Sequence, residues 1–213
     1  SDMKLSDAEQ GSIAARAALV EAHTGIEVVV AVIDRCDAYP EAPWKAFALC
    51  SALAALAAPL WPGGDGPTVV AAVLALIGAG AAAALATAFV PSFARLFVDA
   101  ARRETEARQY AASFFLAHGL SGTGRRNAVL LLVGLFERTV VMLPDAGLTA
   151  TLDGGELKAI IARIAGPLAD GRIAAALGDG LDALEALLVA RGHTAPAVPQ
   201  DEIAREFIRE VGA

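Results

Sequence analysis

Apolar and polar positions alternate between two periods along this chain, and the switches between them mark its elements. Ser6 and Glu9 stand at capping-box spacing ahead of Ile13, Ala17 and Val20, which share one face at helical spacing. The pattern predicts a first helix that ends at His23-Thr24-Gly25. The run IEVVVAVI (26–33) is β-branched and uninterrupted, as expected of a strand buried on both faces. After a long apolar region, residues 99–117 read as a helix stopped at His118-Gly119. SGTGRRN (121–127) is a loop, and AVLLLVGL (128–135) is a second buried strand. Glu137 and Arg138 are expected to form a surface pair at a turn. RTVVML (138–143) then returns as an antiparallel third strand. Residues 155–168 form a further helix, closed by Gly166-Pro167. Asp170 caps a long helix reaching Arg191. Beyond the linker GHTAPAVPQ, the segment DEIAREFIREV places Ile203, Phe207, Ile208 and Val211 on one helical face, which predicts an amphipathic tail helix.

The region between the first strand and the helix at 99–117 is different in kind. From Ala46 to Val90, Asp65 is the only charged residue. Ala46–Leu60 and Thr68–Val90 are apolar throughout and are separated by the turn WPGGDGP (61–67). The second run spans about 34 Å as a helix, enough for a hydrocarbon core of about 30 Å. The first is shorter, with an insertion energy of about −1.5 to −3 kcal/mol against about −3 to −5 kcal/mol for the second. Trp44 and Trp61 bracket it at a spacing of about 26 Å, suited to two interfacial belts. Ala71, Ala75, Ala79 and Ala83 offer a smooth stripe for close helix contact. The expectation is a transmembrane helical hairpin with WPGGDGP at its tip. Arg35, Lys45, Arg95, Arg102 and Arg103 flank its two ends and the tip carries only Asp65, so both termini and the globular part are expected in the cytoplasm.

Composition agrees. The 213 residues are 56% hydrophobic and 19% charged, above and below the averages of soluble domains. A formal charge of −7 argues against a nucleic-acid partner. Two cysteines, Cys36 and Cys50, build no disulfide framework. The polar first ten residues, SDMKLSDAEQ, are not expected to act as a secretory signal.

Candidate chemistry collects at the strand ends. Asp34 and Asp37 follow the first strand, Asn127 precedes the second and Asp145 follows the third. If these ends converge on one cleft, their hard oxygen atoms suit Ca2+ or Mg2+. Loop aspartates also close turns by accepting from backbone amides. Arg125 and Arg126 carry forked donors fit for a phosphate or another anion. The chain has no Gly-x4-Gly-Lys phosphate loop and no arginine six residues after Cys36. The glycines of GTGRRN are too few for a nucleotide fingerprint, and His23, His118 and His193 lack ligand spacing.

Three stretches, LSDAEQGSIAARAALVEAHTGIEVVVAVI, FFLAHGLSGTGRRNAVLLLVGLFERTVVMLPDAGL and GPLADGRIAAALGDGLDALEALL, together resemble the TPM domain family. The resemblance implies an α/β/α sandwich. It also implies either a metal-dependent acid phosphatase or a domain without catalysis that accompanies membrane complexes. Members typically carry Asp-Asn-Gly before the second strand. Here the triplet is Arg126-Asn127-Ala128, so Asn127 matches, as does Asp145 after the third strand.

The expected architecture is therefore an α/β fold: a small mixed sheet in an α/β/α sandwich with an inserted two-helix transmembrane hairpin. Residues 3–42 and 99–192 make the sandwich, 43–98 the hairpin, and 193–213 the linker and tail helix. The expected function is that of a bacterial inner-membrane accessory module. Its partners would be the bilayer and other membrane proteins reached through the tail helix. The alternative is a divalent-metal-dependent phosphatase acting on phosphomonoesters.

Overall fold

A computed structural model describes residues 5–60, 68–120, 127–195 and 207–212. The tip WPGGDGP and the loop holding Arg125 and Arg126 lie outside the described residues. The chain divides into two compact units, one of residues 1–37 with 104–213 and one of residues 38–103.

In the first unit, helix α1 (Asp7–Thr24) starts with the expected capping box. Ser6 N–H donates to Glu9 Oε2 at 2.8 Å and Glu9 N–H to Ser6 Oγ at 3.3 Å. It stops where Gly25 takes the left-handed conformation and donates to Glu21 O at 2.7 Å. Strand β1 (Glu27–Arg35) runs parallel to β2 (Ala128–Gly134), in register from Glu27↔Ala128 to Ile33↔Gly134. Strand β3 (Thr139–Pro144) returns antiparallel to β2. The turn between them holds Arg138 at φ 52, and its Leu135 and Phe136 amides donate to the carbonyls of Ile33 and Asp34.

Alternation along the strands builds two cores. Val28, Val30, Val32, Val129, Leu131 and Val133 face one layer. That layer consists of α1, α6 (Gly154–Ala169) and α7 (Ile173–Ala190). Val29, Ala31, Ile33, Leu130 and Leu132 face Ala107, Ala111, Phe114 and Phe115 of α5 (Ala100–Ala117). This is the three-layer arrangement expected from the uninterrupted apolar strands. Helices α6 and α7 approach closely because Gly180 has no side chain. A methyl there would stand 2.9 Å from Ile164 Cγ1 and nearer still to its Cδ1.

Two expectations are corrected. Helix α6 runs through Pro167 to Ala169, and Asp170 is its C-terminal cap, not the N-terminal cap of α7. The stop lies at Gly171 (φ 79), whose amide donates to Leu168 O at 3.0 Å. The second correction concerns the tail. Residues Phe207–Gly212 form strand β4, parallel to β1 from Val30↔Phe207 to Arg35↔Gly212, and they complete a sheet of order β3-β2-β1-β4. β1 is buried on both faces, and a bare edge would leave its amides and carbonyls unpaired inside the protein. Phe207 packs on one core and Ile208 on the other, the alternation of a strand.

In the second unit, α2 (Glu41–Ala57) continues into a 3-10 turn (Ala58–Leu60). Helix α3 (Val69–Phe89) begins at Thr68, whose hydroxyl accepts from Ala71 N at 3.3 Å. The two helices pack together. Ser51 Oγ donates to Leu76 O at 3.0 Å, and Phe47 and Ser51 lie against Gly80, which has no room for a Cβ. The contacting face is thus centred on Leu76 and Gly80, and Ala71 and Ala75 of the expected stripe are exposed. Among the described residues only α3 is long and apolar enough to cross a membrane, by length and composition. α2 has 17 residues and holds Glu41 and Lys45 in its first turns. A short helix α4 (Pro91–Ala94) and a 3-10 turn (Arg95–Phe97) follow.

Candidate functional site

The four oxygen-bearing candidates stand at opposite ends of the sheet. Parallel pairing of β1 with β2 sets Glu27 beside Ala128, and antiparallel pairing of β3 returns Asp145 to the same level, where its N–H donates to Ala128 O at 2.8 Å. Asn127 immediately precedes Ala128 and donates from Nδ2 to Gly25 O at 2.7 Å. Asn127 and Asp145 are therefore brought together at the amino end of the parallel strands. Asp34 and Asp37 lie at the carboxyl end of β1. Seven residue steps of strand separate Glu27 from Asp34, about 23 Å. The expectation that all four converge on one cleft is corrected, because a strand's first and last residues face opposite rims. Arg125 and Arg126 lie outside the described residues.

At the amino end, Asp145 is 5% exposed. Its Oδ1 accepts from Ala146 N at 2.6 Å, and its Oδ2 is buried with no hydrogen-bond partner among the described residues. Glu27 is buried one strand away from Ala128, in the same row as Asp145. Two buried carboxylates and one side-chain amide thus share this rim. Among the described residues, no group of three or more His, Cys, Asp or Glu could hold a metal ion.

The carboxyl end is organised differently. Asp34 Oδ1 accepts from Arg209 Nη2 at 3.1 Å, which ties β1 to β4. Arg35 lies over the Phe136 ring, 4.4 Å from its centroid. Glu137, expected at the surface, is 2% exposed. Its Oε1 accepts from Cys36 N–H at 2.9 Å. It fits because residue 134 is glycine: a methyl there would stand 2.6 Å from Glu137 Oε2 and 3.1 Å from Cys36 Sγ. The glycine ending β2 was the one sequence signal for that buried acid. Burial, and after it the negative charge of Glu137, pushes the Cys36 thiol far above its ordinary range. Cys36 is thus held as a thiol, without the thiolate character a nucleophile needs.

Helix α5 and β4 make a further polar contact that sequence patterning missed. Tyr110 O–H donates to Glu210 Oε2 at 2.9 Å, and His118 Nε2 lies 3.5 Å from Glu210 Oε1. His118 Nδ1 is 3.1 Å from Phe114 O, and the imidazole stacks on the Phe114 ring at 3.9 Å. Burial, with the bond to Glu210 behind it, raises the Tyr110 phenol to about 12. Nothing local in the sequence links Glu210 to Tyr110. The contact exists only because the tail is a strand.

The sequence profile of the TPM domain matches residues 81–187, just over half of the chain. The chain belongs to the TPM domain family. Its fold is also that of the BA42 protein from the psychrophilic bacterium Bizionia argentinensis, solved by NMR. That likeness has a TM-score of 0.59 at 13% identity and covers 97% of this chain and 95% of that one. No curated protein sequence matches the chain. The TPM profile starts within α3 and ends within α7, so it takes in β2, β3, Asn127 and Asp145.

Proposed function

We propose that this TPM-domain protein is anchored in the bacterial inner membrane through α2 and α3, and that its α/β unit is a cytoplasmic binding module for membrane-protein complexes. The observation that carries the reading is α3: 21 residues without a charge, with Val69, Val70, Leu74, Ile77, Leu85 and Phe89 all exposed. A water-soluble protein seldom exposes so large a continuous apolar patch. The contact of Phe47 and Ser51 with Gly80 supports a paired span, in which the shorter α2 crosses with α3 as its partner. Since the tail is a strand of the sheet, partner contacts fall to the faces of the folded unit and not to a free helix.

The test has two stages. After an alkaline carbonate wash the protein should stay in the membrane pellet; release to the supernatant overturns the anchor. Native electrophoresis of a mild detergent extract should then show a band larger than the protein's own micelle, with one second protein recovered in independent preparations. A band of the isolated chain alone overturns the accessory role.

A second reading, metal-dependent phosphomonoester hydrolysis, is favoured by one observation, the Oδ2 of Asp145, buried beside Asn127 and without a hydrogen-bond partner among the described residues. Asp145, Asn127 and Glu27 would hold Ca2+ or Mg2+, with Arg125 and Arg126 in the adjoining loop as anion ligands. Hydrolysis of p-nitrophenyl phosphate should then require a divalent ion and vanish in Asp145→Asn. A rate unchanged by that substitution overturns the reading.

A further inference from the structure

We infer that the turn after α3, Pro91–Phe97, is an interfacial elbow that seats with Trp44 and Phe89 in the headgroup region of an anionic phospholipid bilayer. This rests on the membrane reading above and specifies which face of the anchor meets which part of the lipid.

The geometry begins with the helix pair. Residue 51 lies opposite 76 and residue 47 opposite 80, so α2 and α3 run antiparallel and the first turns of α2 are level with the last of α3. Two contacts close this end. Lys45 Nζ donates to Phe97 O at 3.0 Å, and Arg102 Nε lies 2.9 Å from Glu41 Oε1. Trp44, Phe89 and the elbow therefore share one end of the unit. Helix α3 stops because Val90 is extended (φ −122, ψ 89) and Pro91 has no amide to continue the ladder. The chain then folds back as two short turns, with Phe93 and Phe97 edge to face at 5.1 Å.

At this end Trp44 is 73% exposed, Phe89 77% and Leu96 76%. No described residue covers them. The exposed side chains nearer the middle of α3, such as Leu74 and Ile77, are aliphatic, in a helix without a charged residue. At the elbow, aromatic rings and cations appear together. Lys45, Arg95, Arg102 and Arg103 stand there against Glu41 and Asp99, a local excess of positive charge in a chain of net −7. An aliphatic span that ends in a ring of tryptophan, phenylalanine and basic residues matches the layering of a bilayer, from acyl core to glycerol and phosphate. The excess positive charge fits an anionic leaflet.

The experiment uses the full chain in vesicles of phosphatidylethanolamine and phosphatidylglycerol, with Cys36 and Cys50 replaced. Nitroxide labels are placed singly by Leu96→Cys, by Ala82→Cys in the exposed middle of α3, and by Leu19→Cys on α1 as a water reference. Collisions with oxygen and with a water-soluble nickel chelate report depth. The Leu96 label should lie between the other two, with nickel access largely lost, and should shift toward water when phosphatidylcholine replaces phosphatidylglycerol. A water-like Leu96 label with a deep Ala82 label overturns the elbow and leaves the anchor standing. Water-like values at both sites overturn the membrane reading itself. An elbow depth unchanged by lipid charge overturns the anionic part. As a check without labels, Trp61→Phe leaves Trp44 as the sole tryptophan. Its fluorescence should be quenched more by lipids brominated near the headgroup than by lipids brominated near the chain ends; the opposite order overturns the inference.

Discussion

At the scale of single residues, the buried acids set the character of the α/β unit. Glu137 closes the carboxyl end of the sheet by accepting from Cys36 N–H, inside a space left by Gly134. Glu137→Ala would strand that amide, at a cost of about 1–3 kcal/mol. Glu137→Gln keeps an acceptor and should cost less. Urea unfolding of the two variants measures the difference, and equal losses would remove the hydrogen bond from the account. The same pocket makes Cys36 inert: with burial and then Glu137 raising its thiol, Ellman's reagent at neutral pH should reach it only after denaturation. Tyr110 gives a pH signature with a definite sign. Its folded value of about 12 lies above the ordinary 10.0, so its stabilising contribution is whole below pH 10 and is lost as pH rises toward 12. Thermal melts between pH 9 and 12, about the titration range of a tyrosine, should fall less steeply in Tyr110→Phe than in the parent. Identical slopes would place the alkaline transition elsewhere.

At the scale of elements, what the sequence made legible follows from how local each signal is. α1, β1, β2, β3 and the close of α5 could be read from caps, β-branched runs and turns, because each rests on residues within one or two turns of chain. β4 could not. The spacing of Ile203, Phe207, Ile208 and Val211 suits a helical face, while Phe207 and Ile208 also alternate as a strand does. The decision came from the unpaired edge of β1, more than 170 residues earlier in the chain. For the same reason the site was half legible. Asn127 and Asp145 could be placed next to strands, but which rim each strand end faces depends on pairing direction, and that separated them from Asp34 and Asp37. The helix pair shows the limit on a finer scale. The alanine stripe is periodic and visible, yet the close contact is at Gly80, which only the register of α2 against α3 identifies. Gly80→Val should lower the stability of the pair by about 1–3 kcal/mol, the usual cost of overpacking. Gly78→Val should not, since nothing lies within 4 Å of a methyl there. Titration with SDS, followed by circular dichroism, should therefore move the midpoint for the first variant only. Equal midpoints would mean that the helices do not pair in a membrane environment.

At the scale of the molecule, the two units are joined by chain at 37–38 and 103–104. Within the second unit, Glu41 and Arg102 hold those two ends together. If α2 and α3 both cross the bilayer, the α/β unit and both termini must share one side, and the connection near Asp65 the other. Lys45, Arg95, Arg102 and Arg103 all belong to the end that joins the α/β unit, whereas residues 61–67 carry no basic residue. The positive-inside rule then directs the joined end to the cytoplasm. Replacing Asp65 with cysteine, in a chain without Cys36 and Cys50, should give a thiol that a membrane-impermeant maleimide labels in cells whose outer membrane alone is permeabilised. Ala213→Cys in the same background should react only after the inner membrane is opened. Reaction of the terminal thiol in intact spheroplasts inverts the orientation. Reaction of both thiols there puts residues 65 and 213 on the same side of the membrane, and since α3 is the one described helix between them long and apolar enough to cross, it overturns the crossing by α3 and with it the anchor.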